Sequence, residues 1–425
     1  MALLIKNAKI INANKAAERK TDILIDRGVI LKIAPSIKED DAKVIDASGK
    51  LVMPGFVDMH VHLREPGRED KETIATGSKA AAKGGFTSIV CMPNTTPTLD
   101  NAMVIEAVIK EAKRVGLVNV YPSGAITRDR KNEELTDMFE LKTAGCVAVT
   151  DDGTSVTNSG LLRSAIEYAD MAGLLVMEHC QDPDLTREGV MNEGEISTML
   201  GFKGDPAAAE TSIVARDIEI AFYLGRPVHF QHISLKRSVE LIKMAKKQGI
   251  RISAEATPHH FSLTEEEVRS FNTNTKVNPP LRTKEDVTAI KEALRDGVLD
   301  CIATDHAPHS LEDKEVDFDH APPGVIGLET AFALTVTELV EQGYLNWPQV
   351  AEKMSLRPAQ LLRLENKGEV KEGADADLVI VDPEKEWVVE ESDIVSKSKN
   401  SPFMGKKLKG RVLITICGGK ITYQE

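Results

Sequence analysis

Four histidines and two aspartates stand where apolar runs of the chain give out. His60 and His62 lie in MPGFVDMHVHLREPG, Asp152 in GCVAVTDDG, His179 near the end of LLVMEHC, His232 at the end of VHFQH and Asp305 at the end of CIATD. Imidazole nitrogens combined with carboxylate oxygens suit Zn²⁺ or a similar divalent cation. Six such groups exceed the three protein ligands of one catalytic zinc, so two ions with one bridging carboxylate is the natural count. Such a centre performs hydrolytic chemistry, by polarising a carbonyl and acidifying a water.

A short H-x-H is a weak signal by itself, because a lone buried histidine is usually satisfied within a core. In a strand, however, His60 and His62 share a face, and alternation places Asp58 and Arg64 on that face too. Pro54-Gly55 opens the run and Arg64-Glu65-Pro66-Gly67 breaks it. All ten histidines fall between positions 60 and 320. His229, on the opposite strand face from His232, reads as packing, and no role follows from the spacing of His259, His260, His306 and His320.

Positioning such distant residues requires elements that end at a common rim. After Pro54 the sequence alternates apolar, β-branched runs with helical patterns: GGFTSIVCMPN, NVYPSGAIT, GCVAVTDDG, GLLVMEHC, PVHFQHIS, IRISAEATPHH and LDCIATDHAPH. With the opening stretch these make eight strands, which predicts an α/β chain with a (β/α)₈ TIM barrel whose site lies at the C-terminal strand ends. Residues 54–365 form the expected barrel. The two ends have strand-and-turn texture, including a hairpin at Asp26-Arg27-Gly28, and are expected to join as one small composite β-sandwich from residues 1–53 and 366–425. The charged stretch SLEDKEVDFDHAPP (310–323) lacks helical periodicity and is expected to be a loop that orders over bound substrate.

Composition narrows the function classes. With 42% hydrophobic and 28% charged residues, the chain can bury a large core. Its formal net charge of -13 argues against a phosphate-backbone binder, so no nucleic-acid partner is expected. Cys91, Cys146, Cys180, Cys301 and Cys417 are scattered without a C-x-x-C pair, which points to a reducing, cytoplasmic setting. Polar residues in MALLIKNAKIINANK come too early for a secretory segment, and no apolar run is long enough to span a membrane.

The motifs HVHLREPG, MPNTTP, VTDDG, MEHC, the His232 strand, VNPPLR and ATDHAPH, in that order, resemble the amidohydrolase superfamily and within it the bacterial class I dihydroorotases. The resemblance covers nearly the whole chain. It implies that His60, His62 and Asp305 bind one zinc, that His179 and His232 bind a second, and that Asp152 bridges them, with Asp151 as its rival. It implies Asp305 as general acid and base, passing a proton between a metal-held hydroxide and the ring nitrogen.

Substrate contacts are implied at His62, Arg64, Asn94, Asn278, His309, Pro323 and Gly324. Arg64 and Asn94 have the donors a carboxylate needs, and Pro323-Gly324 would contribute backbone. The implied reaction is the reversible cyclisation of N-carbamoyl-L-aspartate to dihydroorotate in pyrimidine synthesis, by a homodimer or in complex with aspartate carbamoyltransferase. Hydantoinases, dihydropyrimidinases and allantoinases are the enzymatic alternatives. These relatives use a carbamylated lysine as the bridge, and GCVAVTDDG contains no lysine. A non-catalytic partner of the transferase is the alternative from another class.

Overall fold

The computed structural model describes residues 2–13, 15–16 and 20–425. Eight parallel strands, Phe56–Val61, Phe86–Cys91, Asn119–Gly124, Ala148–Val149, Leu175–Glu178, Val228–Phe230, Ile252–Ala256 and Cys301–Ile302, pair in chain order. A bridge between Val61 and His306 joins the last to the first, where the His62 N–H donates to the His306 carbonyl at 2.8 Å. The expected barrel is therefore present, and all its C-terminal strand ends share one rim.

The helices between these strands begin and end where local chemistry dictates. Ala102–Val115 starts at Asn101, whose side chain accepts from the Val104 N–H, and stops at Gly116 with φ 64°. Its buried residues, Ile105, Val108 and Ala112, recur every three or four positions and form the stripe that meets the barrel. Thr73 and Thr283 open Ile74–Gly84 and Lys284–Arg295 through capping boxes.

Inside the ring, Val57 and Met59 pack with Val90, Met92, Ala148, Met177 and Cys301. Simple alternation would then turn His60 outwards. The register with the next strand shifts between Asp58 and Val61, the mark of a β-bulge, and this re-aims His60 inwards beside Met59. Asp58 consequently does not share a face with the two histidines as alternation predicts. Its carboxylate accepts the His60 N–H at 3.0 Å and the Thr304 N–H at 3.1 Å, stitching the first strand to the eighth. Burial raises its pKa to about 6.

Both chain ends contribute to a nine-stranded mixed sheet beside the barrel, in which Leu51–Pro54 pairs with Leu3–Asn12 on one side and Leu378–Val388 on the other. It encloses its own core, including Ile5, Ile23, Ile25, Leu378, Ile380 and Ile416. Arg27 and Gly28, at φ 50° and 83°, form the two-residue hairpin turn between Thr21–Asp26 and Val29–Ala34. The 310–323 segment is not wholly irregular: Leu311–Lys314 makes one helical turn, capped by Ser310, too short for periodicity to reveal. No helix among the described residues is long and apolar enough to cross a membrane.

Candidate metal centre and substrate pocket

The rim brings the six sequence-predicted ligands into one cluster. His60 Nε2 lies 3.2 Å from Asp152 Oδ1 and 3.5 Å from Asp305 Oδ1, and His62 Nε2 lies 3.0 Å from Asp305 Oδ1 and 3.4 Å from Asp152 Oδ2. On the other side of Asp152, His179 Nδ1 and His232 Nε2 lie 3.6 and 3.7 Å from Asp152 Oδ1. Asp152 is thus the one residue that faces all four histidines. Asp151 turns away, and its carboxylate accepts from the Ile126 and Thr127 N–H groups at 2.8 and 3.0 Å.

Placing these side chains costs the backbone. Arg64, His232 and Asp305 adopt φ of 60°, 32° and 47°, a left-handed region worth about 1 kcal/mol or more of strain for a residue with a Cβ. Arg64 therefore reaches the site through a sharp turn beyond the strand, which ends at Val61, and not by the strand alternation expected from its spacing.

The electrostatics favour a cation. Burial opposes the charge on Asp152 and Asp305, yet the attraction of His60 and of the other histidines around them holds both carboxylates well below the ordinary range. Burial likewise works against a charge on His60, but Asp152 and Asp305 raise its pKa well above the usual value. A field that draws a proton onto a fully buried imidazole also draws a metal ion. His60 Nε2 and Asp152 Oδ1 are buried without a hydrogen-bond partner among the described residues, as atoms reserved for a ligand would be. Two groups, His60/His62/Asp305 and His60/Asp152/His232, have their ligand atoms within 4.8 Å of one another, so these buried clusters suit a binuclear metal centre.

Sequence reasoning missed Glu255 as a group that aims the ligands, and it assigned Asn94 to substrate without its bond to His62. Glu255 accepts from His60 Nδ1 at 2.9 Å and from His229 Nε2 at 3.0 Å, and Asn94 Oδ1 accepts from His62 Nδ1 at 2.9 Å. The bonds at His60 and His62 each fix a tautomer whose Nε2 is free to ligate. Burial opposes the Glu255 charge, but hydrogen bonds from His229 and His60 take its pKa down to about 2. A lone glutamate in the strand ISAEA was the available signal.

A cavity of about 210 Å³ opens over the cluster. His62, Asp152, His179, His232 and Asp305 line its floor, and Arg64, Asn94, Asn278, His309, Pro323 and Gly324 line its walls. Arg64 Nε donates to the Pro308 carbonyl at 3.2 Å, and His309 Nε2 donates to the Pro323 carbonyl at 2.9 Å. Asn278 and Gln181 exchange amide hydrogen bonds of 2.9 and 2.7 Å, and His179 Nε2 lies 3.3 Å from Gln181 Oε1. A larger cavity of about 490 Å³ opens at the opposite end of the barrel, around Val118–Tyr121, and carries none of these groups.

A family profile described as dihydro-orotase-like matches residues 49–238, and one for the amidohydrolase family matches residues 223–423. A dihydroorotase from Pelotomaculum thermopropionicum is 51% identical over 100% of this chain and 99% of its own, and one from Geobacter metallireducens is 48% identical over 100% of both. The chain belongs to the dihydroorotase family of the amidohydrolase superfamily. Dihydroorotases are metal-dependent amidohydrolases, and the buried histidine and aspartate cluster gives this member the donor set for that chemistry. Among solved structures, the L-hydantoinase (dihydropyrimidinase) from Arthrobacter aurescens superposes with a TM-score of 0.89 at 25% identity, over 99% of this chain and 96% of its own. The dihydropyrimidinase from Brevibacillus agri, at 23% identity and a TM-score of 0.85, covers 100% of this chain and 95% of its own and shows the shared fold. Dihydroorotases and hydantoinases thus share a scaffold, and the distinction lies in the site.

Proposed function

We propose that this dihydroorotase interconverts N-carbamoyl-L-aspartate and dihydroorotate at a pair of divalent cations, zinc by the donor chemistry, with His60, His62 and Asp305 holding one, His179 and His232 the other, and Asp152 between them. When bound, such ions supply Lewis acidity to the ring carbonyl and lower the pKa of a water towards about 7. The observation that carries this reading is the convergence of four histidines and two aspartates beneath a cavity, with His60 fully buried and the other five on its floor, whose walls hold Arg64, Asn94, Asn278 and His309.

Asp305 does the proton work. Its ionised carboxylate accepts the proton of the attacking water as the ring opens and returns it to the departing ring nitrogen, and in the closing direction it runs the same transfers in reverse. Arg64, with the Asn94 amide, engages the exocyclic carboxylate, and Asn278 with the Pro323-Gly324 backbone engages the polar edge of the ring. The lysine-free VTDDG segment favours this substrate over hydantoin or allantoin. We further assign the barrel, 54–365, and the composite β unit, 1–53 with 366–425, as separable folding units of a cytoplasmic homodimer.

The test compares turnover of dihydroorotate, hydantoin and allantoin by the metal-loaded chain. Preference for dihydroorotate by about 10³-fold or more is expected, because a site built for a carboxylate loses paired charge with analogues that lack one. Equal turnover of hydantoin would overturn the assignment. Absence of turnover that appears only with added aspartate carbamoyltransferase would make the chain a subunit dependent on that partner.

A further inference from the structure

His309 is held at both ring nitrogens, and the group on its inner side is a lysine from a distant segment. Lys71 Nζ lies 3.0 Å from His309 Nδ1 and 2.8 Å from Asp313 Oδ2. Lys71 is only 6% exposed, and its backbone carbonyl is fixed by the Ser398 hydroxyl at 2.7 Å. An ammonium has donors and no lone pair, so a contact between Lys71 and Nδ1 requires Nδ1 to be the unprotonated, accepting nitrogen. The single ring proton must then sit on Nε2, and Nε2 faces the Pro323 carbonyl at 2.9 Å at the pocket wall.

We propose that Lys71 is a positioning residue that keeps His309 neutral with its one proton on Nε2, so that His309 can only donate to an anionic substrate. The proposal rests on the reading of His309 as a substrate contact. A second pair follows the same logic one residue along the chain. Glu72 Oε2 lies 3.2 Å from His306 Nε2, while His306 Nδ1 accepts the Gly327 N–H at 3.2 Å. Adjacent residues of opposite charge thus address two histidines beyond Asp305, the cation on an accepting nitrogen and the anion on a donating one.

The charges around His309 support the neutral state. Arg64 Nη2 lies 3.5 Å from Nε2, Lys314 donates to the Pro322 carbonyl at 2.7 Å, and Asp313 Oδ2 lies 3.6 Å from Nδ1, while the 396–400 segment presents the neutral Asn400. Burial, then Arg64, Lys314 and Lys71, hold the imidazole far below its ordinary range. Asp313 is satisfied by Lys71, so the same ammonium also ties the 311–314 turn to the substrate wall.

Two measurements test this. In the wild-type enzyme without substrate, ¹⁵N NMR of histidine-labelled protein, with His309 assigned by difference from His309→Gln, should show a protonated Nε2 and bare Nδ1 that do not titrate between about pH 5 and 8. A proton on Nδ1, or titration near neutrality, overturns the proposal. Lys71→Met should raise KM for dihydroorotate about tenfold while kcat changes less than about threefold, the loss expected when one charge-assisted donor is misdirected.

In that variant the ring proton of His309 should no longer be confined to Nε2, so that ¹⁵N NMR reports a mixture of the two neutral tautomers. Lys71→Arg should restore both the Nε2 tautomer and a KM close to that of the wild type. A purely structural role for Lys71 would lower kcat and raise KM together while His309 keeps its proton on Nε2, and that result overturns the proposal. If His309→Ala leaves KM unchanged, the substrate role of His309 falls and the proposal with it. The NMR result, read without substrate, distinguishes that failure from an error in the tautomer.

Discussion

His60 and His62 differ from His179 and His232 in what holds the ring nitrogen that faces away from the cluster. Glu255 and Asn94 grip the first two at 2.9 Å each, from two different strands or strand ends. His179 Nε2 has Gln181 Oε1 at 3.3 Å and Asn278 Nδ2 at 3.4 Å, two long contacts of opposite hydrogen-bonding sense, and the outer nitrogen of His232, Nδ1, is buried with no hydrogen-bond partner among the described residues. A carboxylate or amide acceptor on the outer nitrogen fixes the tautomer and ring plane and raises the basicity of the inner one. One half of the centre is therefore organised by the protein, and the other half takes its order from what it binds.

The sharpest way to break this comparison is to remove the residue at the preorganised half that also carries protons. Asp305→Asn should lower kcat/KM by about 10³-fold or more, measured by hydrolysis of dihydroorotate, since a ligand charge and the acid/base group go together. A loss under about tenfold would show that proton transfer lies elsewhere. Glu255→Gln should weaken the tighter metal ion by about 10–100-fold in a competition titration with a chelator, whereas Gln181→Met should change affinity by about threefold or less. Equal effects would erase the asymmetry.

Glu255 also gives the comparison a pH signature. Its folded pKa of about 2 lies below the ordinary 4.5, so its contribution to folding is complete above about pH 4.5 and is lost as pH falls towards 2. Glu255→Gln should therefore flatten the fall of Tm over that window, and an unchanged acid limb would contradict the Glu255–His60 and Glu255–His229 bonds. Smallest in expected effect is Asp58→Asn, which weakens the stitch to Thr304 and the bond to the His60 backbone but replaces no ligand side chain. About 1–2 kcal/mol of stability should be lost in chemical denaturation, with activity at saturating metal retained within about threefold.

The ligands were legible in the sequence because each stands at the end of an apolar run, next to Gly, Pro or charged residues that mark a strand exit. His60, His62, His179, His232 and Asp305 could be placed on a common rim once eight strands were counted. The bulge that turns His60 inwards and Asp58 away was not legible, because a one-residue register shift leaves no mark in an alternating pattern. Arg64 was found by its spacing for the wrong reason, since its left-handed turn, not strand alternation, carries it to the pocket.

Glu255 and Lys71 escaped for another reason. Their partners lie 195 and 238 residues away, and Lys71 sits in GREDKE, which reads as a solvated charge run. The closure of the barrel buries the end of that run, Lys71 and Glu72, against His309 and His306 and leaves residues 67–70 exposed. The two-residue strands Ala148–Val149 and Cys301–Ile302 look longer in sequence because their apolar patterns run on into the segments that deliver Asp152 and Asp305.

The central claim is that Asp152 joins two metal sites into one catalytic centre. Metal content per chain, measured together with dihydroorotate turnover for wild type and Asp152→Ala, tests it most directly. Two ions in the wild type, at most one in the variant and a loss of turnover of about 10²-fold or more are expected. A variant that keeps two ions and full turnover would contradict the account.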